Sequence, residues 1–272
     1  MRTRQFYLWH WTDSVVGLCA GVTFTRSRWP TVAIITAGFL LLAVFLRVEC
    51  RKVDMTTNGI YADMATHMGA ALSLVHDHDL VYSPEDFTRL TTTPPLSISG
   101  PEGIYLKRNA AGTWYYAKPF LFPLLCAPWV WWCGLVGMVY FNAFLFFIMI
   151  VLGFLWLRKA LGDLWAFLLA AAFFLVSHFY PYIFVPHPDL LVAALLFSSF
   201  YCWRMGMEGG KGSWAYLGLA GLLMSGAGYE RTACFILPIL LLTYMLVRRQ
   251  WRSSGYFAVS LLLILACFLA LQ

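Results

Sequence analysis

The sequence predicts an all-α, polytopic bundle of transmembrane helices, and three observations support this fold class. First, 61% of the 272 residues are apolar by type. Second, only 12% are charged, which is about half the share that is usual in a soluble domain. Third, apolar runs of nearly membrane-spanning length recur from residue 31 to the end of the chain. Together these observations exclude a soluble globular domain and a disordered chain.

The charged residues follow the pattern of a multi-pass membrane protein. The net charge is +6, and an excess of Lys and Arg is typical of cytoplasmic loops. No basic stripe occurs outside the apolar segments, so we expect no nucleic-acid partner. The seven cysteines form no CxxC pair, and we expect most of them to pack as small apolar side chains.

The N-terminal part of the sequence divides into two regions. Residues 1–30 are interpreted as a cytoplasmic or interfacial segment, because the apolar stretch at 15–24 is shorter than the ~20 residues that a span needs. Residues 31–48 form the first predicted span, which is preceded by Arg26 and Arg28 and retained as an anchor. Residues 31–272 are then expected to form one membrane domain.

A long polar loop at residues 49–118 follows the first span and holds eight of the thirteen acidic residues. Its first half is predicted to be helical, because six apolar residues recur on one face at helical spacing. These residues are Ile60, Met64, Met68, Ala71, Leu72 and Val75. Pro and Gly interrupt the second half, which favours an irregular loop.

Seven further apolar segments follow this loop. They cover residues 119–136, 139–157, 164–184, 190–203, 214–228, 232–247 and 256–271. The positive-inside rule favours a position for 119–136 on the outer membrane surface, since only then do Arg158 and Lys159 share the cytoplasmic side with Arg248 and Arg252. The domain is therefore expected to have about seven spans, with the loop at 49–118 outside.

This topology brings titratable residues from distant stretches to the extracytoplasmic side. They are the acidic residues of the loop together with His187, Asp189, Glu230 and Arg231. Ionisable residues between closely spaced apolar runs, such as Glu230 and Arg231, are costly and usually functional. We therefore expect an extracytoplasmic active site above the bundle. The alternative is that these loops are polar without sharing a function.

A spaced pattern at residues 63–79 carries a family resemblance. Its matching residues are Asp63, Ala71, Ser73, Leu74 and Asp79. They resemble the pattern D-E-x-x-Y-x-x-x-A-x-S-L-x-x-x-G-D in the first outer loop of GT-C membrane glycosyltransferases, which include protein O-mannosyltransferases and lipid A aminoarabinose transferases. Met64, His67 and His78 stand in place of the Glu, Tyr and Gly of that pattern.

Two further elements of the same family occur in the same order. The run YAKPFL at residues 116–121 is similar to the element Y-x-K-P-P-L, with Phe120 in place of the second proline. In the family this element opens an amphipathic helix on the outer membrane surface. The run PDLL at residues 188–191 is similar to the acidic start of the fourth span. The resemblance covers roughly residues 31–205.

The resemblance implies an enzyme that transfers a sugar, with inversion, from a polyprenyl-phosphate carrier to a lipid, glycan or protein acceptor. It would be a multi-pass protein of the lipid bilayer, in a bacterial cytoplasmic membrane, with an outward-facing active site. Asp63 is the expected general base for an acceptor hydroxyl, and Asp54 is the reserve candidate. Lys118 and Arg231 are expected to bind the carrier phosphate. The other residues expected at the substrate are Tyr116, His187, Asp189, Glu230 and His67.

Each of these assignments has a plainer alternative. Asp63 would be a hydrated acid on a helix surface, Lys118 a lysine that extends to the membrane interface, and Arg231 a partner of Glu230. No cofactor is certain. The residues His76, Asp77, His78 and Asp79 are suitable ligand types for a divalent metal, but adjacent helical residues point in different directions. We therefore favour a helix end that is capped by polar groups, with a divalent metal as the alternative.

Two other functions remain open at this point. A transporter or flippase would carry ionisable residues within its spans and broken helices in paired positions. A non-catalytic membrane scaffold would tolerate the departures at Met64 and Phe120. Because GT-C enzymes generally have more spans, the chain is also expected to be a fragment, truncated at its C-terminus.

Overall fold

The protein is described here by a computed structural model that covers residues 29–49, 62–92, 104–209 and 212–270. These residues form ten α-helices and one antiparallel hairpin. In chain order the elements are α1 (Trp29–Glu49), α2 (Ala62–His76), α3 (Pro84–Thr92), β1 (Leu106–Arg108), β2 (Trp114–Tyr116), α4 (Leu121–Cys133), α5 (Val136–Leu161), α6 (Asp163–Val176), α7 (Asp189–Met207), α8 (Ser213–Glu230), α9 (Ile236–Val247) and α10 (Trp251–Ala270). Two 3₁₀ turns, Pro181–Phe184 and Thr232–Phe235, precede α7 and α9. The all-α class is confirmed.

The core of the bundle lies between α2, α4, α5 and α7. Phe122, Met138, Phe146 and Leu190 are among the side chains that are fully buried there. Helices α7 and α8 pack along each other, and α10 packs on the other side of α8. Large apolar side chains cover the outer faces too, as at Phe173 on α6, which is 67% exposed. A helix that is apolar on all sides is typical of a membrane environment.

Two glycines fix the turns at the two ends of α5. Gly162 adopts a φ of 75° between α5 and α6, a left-handed conformation that glycine adopts at little cost. Gly137, in the first turn of α5, faces the backbone of Trp129 so closely that a side chain would collide with it. These turns allow α4 and α6 to fold back against α5.

Two described helices, α5 and α7, are long and apolar enough to cross a membrane. Five other apolar segments, which lie in α1, α4, α6, the 3₁₀ turn with α9, and α10, are shorter. The prediction of about seven spans is therefore supported by length and apolarity at two helices, and the remaining spans stay a prediction. The predicted N-terminal segment at 1–30 lies almost wholly outside the described residues.

The polar loop is more ordered than the sequence predicts. Helix α2 agrees with the predicted apolar face, since Met68, Ala71 and Leu72 are buried. The second half was expected to be irregular, but it contains α3 and the β1–β2 hairpin. A capping box begins α3: the backbone N–H of Ser83 donates to Asp86, and the N–H of Asp86 donates back to the Ser83 hydroxyl.

The predicted segment at 164–184 is also divided. Helix α6 ends at Val176, where the Ser177 hydroxyl donates to the carbonyl of Phe174 at 2.6 Å and so caps the helix. The chain then turns through the 3₁₀ turn at Pro181–Phe184. A proline at the first position of this turn favours a new start over continuation of α6.

Helix α4 differs in one respect from the predicted surface helix. Its 13 residues span ~20 Å, less than the ~30 Å of a hydrocarbon core. The helix is not amphipathic, however, because its exposed face carries Leu124, Leu125, Trp131 and Trp132. Such a face suits contact with lipid at the interface better than contact with water.

Candidate active site

Helix α2 places a carboxylate at the edge of a cavity. Asp63 lies in the first turn of α2, where the helix dipole stabilises negative charge. The opposite face of the helix is buried against α4, so the orientation of Asp63 is fixed by packing. About a third of the Asp63 side chain stays exposed. A carboxylate in this position is accessible to a hydroxyl that enters the cavity.

Lys118 forms an ion pair with this carboxylate. The Lys118 ammonium lies 2.7 Å from Asp63 Oδ1 and 4.6 Å from the centre of the Tyr105 ring. Hairpin pairing sets this position, because the N–H of Ala117 donates to the carbonyl of Tyr105. Burial raises the pKa of Asp63, but Lys118 and His187 outweigh it and hold the pKa below its usual value. Asp63 is therefore ionised at neutral pH.

His187, Asp189 and Arg231 form a second charged group beside the first. Nδ1 of His187 lies 2.9 Å from Asp189 Oδ2, although the direction is poor for a hydrogen bond. Arg231 donates to Asp189 Oδ1 from Nη2 at 2.7 Å and from Nε at 3.2 Å. Arg231 lies just after α8, and Asp189 begins α7. The contact therefore joins the ends of two neighbouring helices.

The two groups meet at one cavity of about 400 Å³. Nε2 of His187 lies 3.7 Å from Asp63 Oδ2 and 3.4 Å from Arg231 Nη2, so the imidazole connects the two carboxylates. The cavity is lined by Asp63, Met64, Tyr105, Tyr182, Val185, His187 and Asp189. The cavity thus presents two carboxylates, each of which is paired with a cation: Asp63 with Lys118, and Asp189 with Arg231.

His67 lies beneath the cavity and does not line it, contrary to its predicted place at the substrate. Its side chain is 2% exposed, and its ring packs edge-on against Phe122 and His187 at centroid distances of 5.5 and 6.1 Å. Burial, together with the charge of His187, lowers the pKa of His67 to about 3. The His67 ring is therefore neutral, and its packing restricts the position of the His187 ring.

Glu230 also differs from its prediction. It is 6% exposed and does not pair with Arg231; instead Oε1 accepts a hydrogen bond from the backbone N–H of Phe122 at 2.7 Å. That N–H belongs to the first turn of α4, whose orphan donors need acceptors. Glu230 therefore fastens the end of α8 to the start of α4, close to Lys118 in sequence.

Tyr116 is likewise a structural residue in this arrangement. It is 9% exposed in β2, its ring packs edge-on against Tyr82, and a side chain at Gly69 would come within 2.9 Å of its ring. Tyr116 thus holds the hairpin on α2, which fixes the position of Lys118. The reserve candidate Asp54 lies outside the described residues.

The two carboxylates considered for a metal site have other partners. Asp77 pairs with Arg89 through both of its carboxylate oxygens. Asp79 accepts hydrogen bonds from the Val81 N–H and the Ser73 hydroxyl. In the described parts of the chain, no three His, Cys, Asp or Glu side chains are grouped in a way that suits a metal ion.

Most residues of the first family pattern lie in the second half of α2 and in the turn that follows it. Ser73 contacts Asp79, and Ala71 is fully buried. His78, where the family has Gly, adopts a φ of 61° in the turn after α2. Among the matched residues, Asp63 is the one that lines the cavity. The sequence analysis missed Tyr105 and Tyr182; the position of Tyr105 opposite Ala117 depends on the hairpin, which was not predicted.

Comparison with known proteins adds one result. No family model matches the chain, and no curated protein matches its sequence. The chain is similar to the crystal structure of ArnT from Cupriavidus metallidurans bound to undecaprenyl phosphate, with a TM-score of 0.61 and 16% identity over 90% of the chain. The chain therefore shares the fold of the matching part of that structure. The chain spans 42% of the length of that protein, and at this identity the likeness concerns the fold alone.

Proposed function

We propose that the protein is a membrane glycosyltransferase that moves a sugar from a polyprenyl-phosphate carrier to an acceptor on the extracytoplasmic face. The observation that carries this proposal is one cavity lined by Asp63, which pairs with Lys118, and by Asp189, which pairs with Arg231. Such a site offers a base for a hydroxyl and two cations for a phosphate leaving group. The ArnT structure contains undecaprenyl phosphate, which is a ligand of this chemistry.

The reaction assigns a separate role to each charged group. The acceptor hydroxyl oxygen bonds to the anomeric carbon while its proton passes to the Asp63 carboxylate. The bond from that carbon to the phosphate oxygen breaks, and its electron pair remains on the phosphate. Lys118 and Arg231 stabilise the charge that develops there. Attack from the face opposite the phosphate inverts the anomeric configuration.

The Lys118–Asp63 ion pair predicts that the donor binds before the acceptor hydroxyl is deprotonated. Lys118 lowers the pKa of Asp63, which makes the carboxylate a weak base. A donor phosphate that attracts Lys118 relieves this effect, because the ammonium then has a second anion to neutralise. Donor binding therefore increases the basicity of Asp63 just when an acceptor must be deprotonated.

The membrane placement belongs to the same proposal. The candidate active site lies at the start of α7, and Glu208 lies at the other end of that helix. The 19 residues between them span ~28 Å, close to the thickness of a hydrocarbon core. We therefore place the site on the outer side of a bundle of about seven spans, in keeping with the positive-inside rule.

A transfer assay tests the function. Membranes that contain the whole protein are incubated with radiolabelled polyprenyl-phosphate sugars, and label is scored in lipid, glycan and protein fractions. We expect transfer to one fraction, above the level in membranes without the protein. Absence of transfer from every donor, with the protein present and inserted, would contradict the proposal and favour a transporter or a scaffold.

A further inference from the structure

A second cavity, of about 650 Å³, lies at the end of the bundle opposite the candidate active site. It opens between the start of α1 and the ends of α5 and α7. Three cations, Arg158, Lys159 and Arg204, line it together with one carboxylate, Glu208. None of these residues has a role in the proposed transfer reaction, and a cleft this rich in cations needs an account of its own.

The charges in this cleft are arranged around one carboxylate. Glu208 Oε2 lies 3.1 Å from the Lys159 ammonium, and Oε1 accepts from Arg204 Nε at 3.3 Å. Arg158 lies 3.5 Å from a second carboxylate, Asp163, which also accepts a hydrogen bond from the Thr31 hydroxyl at the edge of the cleft. Glu208 thus holds two cations that would otherwise repel each other. An anion that binds here would compete with Glu208 for both.

The wall of the cleft is apolar and aromatic. The Arg204 guanidinium lies over the Trp156 ring, 4.8 Å from the ring centroid. Val32 and Leu155 line the same space, and Val32 is 53% exposed. A polar rim over an apolar wall matches a ligand that has an anionic head and a hydrocarbon body.

We propose that this cleft binds the phosphate of an anionic phospholipid headgroup. It lies ~28 Å along α7 from the candidate active site, at the level where the apolar helices end. Under the proposed topology this is the cytoplasmic leaflet, whose anionic lipids attract clustered Lys and Arg. Basic pockets between helices on that side bind such headgroups in other membrane proteins. The lipid phosphate replaces Glu208 as the ionic partner of Arg204 and Lys159.

Native mass spectrometry of the detergent-purified protein tests this inference with phosphatidylglycerol as the probe. Phosphatidylcholine and inorganic phosphate are compared at equal concentration. We expect phosphatidylglycerol adducts to exceed the other two, and Arg204→Gln to weaken them about fivefold, as the loss of one cation near a lipid surface predicts. Glu208→Gln removes the competing carboxylate, so it should strengthen the adducts.

The control is Arg248→Gln, which removes one exposed cation at the same end of the bundle but outside the cleft. Its adducts should match those of the wild type. The opposite effects of Arg204→Gln and Glu208→Gln distinguish binding in the cleft from general attraction and from misfolding. Equal losses in Arg204→Gln and Arg248→Gln, no gain in Glu208→Gln, or adducts of inorganic phosphate as abundant as those of the lipid would each overturn the proposal. None of these outcomes depends on transferase activity.

Discussion

The Lys118 ammonium lies 2.7 Å from Asp63 Oδ1, so the proposed phosphate ligand and the proposed base neutralise each other. Both side chains are about one-third exposed. An exposed pair of this kind contributes little to stability, at most ~1 kcal/mol. We therefore interpret the pair as an arrangement for function, in which each residue exchanges its partner for substrate.

Replacement of the lysine should act mainly on donor binding. Lys118→Ala removes a phosphate contact that exists in both the ground state and the transition state, so the KM for the donor should rise by roughly tenfold or more while kcat changes less. Lys118→Arg should restore part of the affinity. The matched control is Lys107→Ala on β1 of the same hairpin, an exposed lysine that is not an ion-pair partner of Asp63. Equal KM changes in both alanine variants would contradict a specific phosphate contact.

The pH dependence of kcat/KM should report the same pair. Burial favours the protonated form of Asp63, and the opposing effect of Lys118 and His187 holds its pKa below the usual value. Activity is therefore present above this lowered pKa and is lost as the pH falls through it. In Lys118→Ala the burial effect is less opposed, so the acid limb should move to higher pH. If the acid limb lay at the same pH in both proteins, Lys118 would have no effect on the pKa of the catalytic base.

The buried contact of Glu230 predicts an effect on stability. Glu230→Ala leaves the Phe122 N–H without its acceptor, which should cost roughly 1–3 kcal/mol in the free energy of unfolding. Glu230→Gln keeps an acceptor at the same place and should cost less. Thermal unfolding of the purified protein measures both. If the two variants were equally stable, the hydrogen bond would not fasten α8 to α4.

The topology can be tested by cysteine labelling. In a protein whose seven native cysteines are replaced, Ala111→Cys in the hairpin turn should react with an impermeant thiol reagent in intact cells. Arg252→Cys, at the predicted cytoplasmic end, should react only after lysis. Both positions are exposed. The reverse result would invert the bundle and place the candidate active site on the cytoplasmic side.

The sequence predicted the fold class, and three of the predicted site residues, Asp63, His187 and Asp189, are among the seven that line the cavity. Apolar runs define most of the helices, and charged residues at their ends predicted that Asp63, Lys118, His187, Asp189 and Arg231 would converge. The partners of these residues could not be predicted in the same way. Glu230 and Arg231 are adjacent in sequence, yet Glu230 is buried against the start of α4 while Arg231 pairs with Asp189, because α8 ends between them.

Capping and hairpin formation explain the remaining differences. The capping box of Ser83 and Asp86 is visible in the sequence but is shorter than the periodic signals that define long helices. The hairpin holds Lys118 on α2 through the buried ring of Tyr116, a contact between distant parts of the chain. Periodicity contains no information on such contacts.

The turnover rate of Asp63→Asn tests the central claim most directly. The variant keeps the size of the side chain but removes the basic carboxylate, so kcat for sugar transfer should fall by roughly 10²–10⁴-fold. Asp77→Asn, which changes an acid at the other end of the α2 region, is the matched control and should transfer normally. Both proteins must be compared at equal amounts in the membrane. Near-normal transfer by an inserted Asp63→Asn protein would contradict the account.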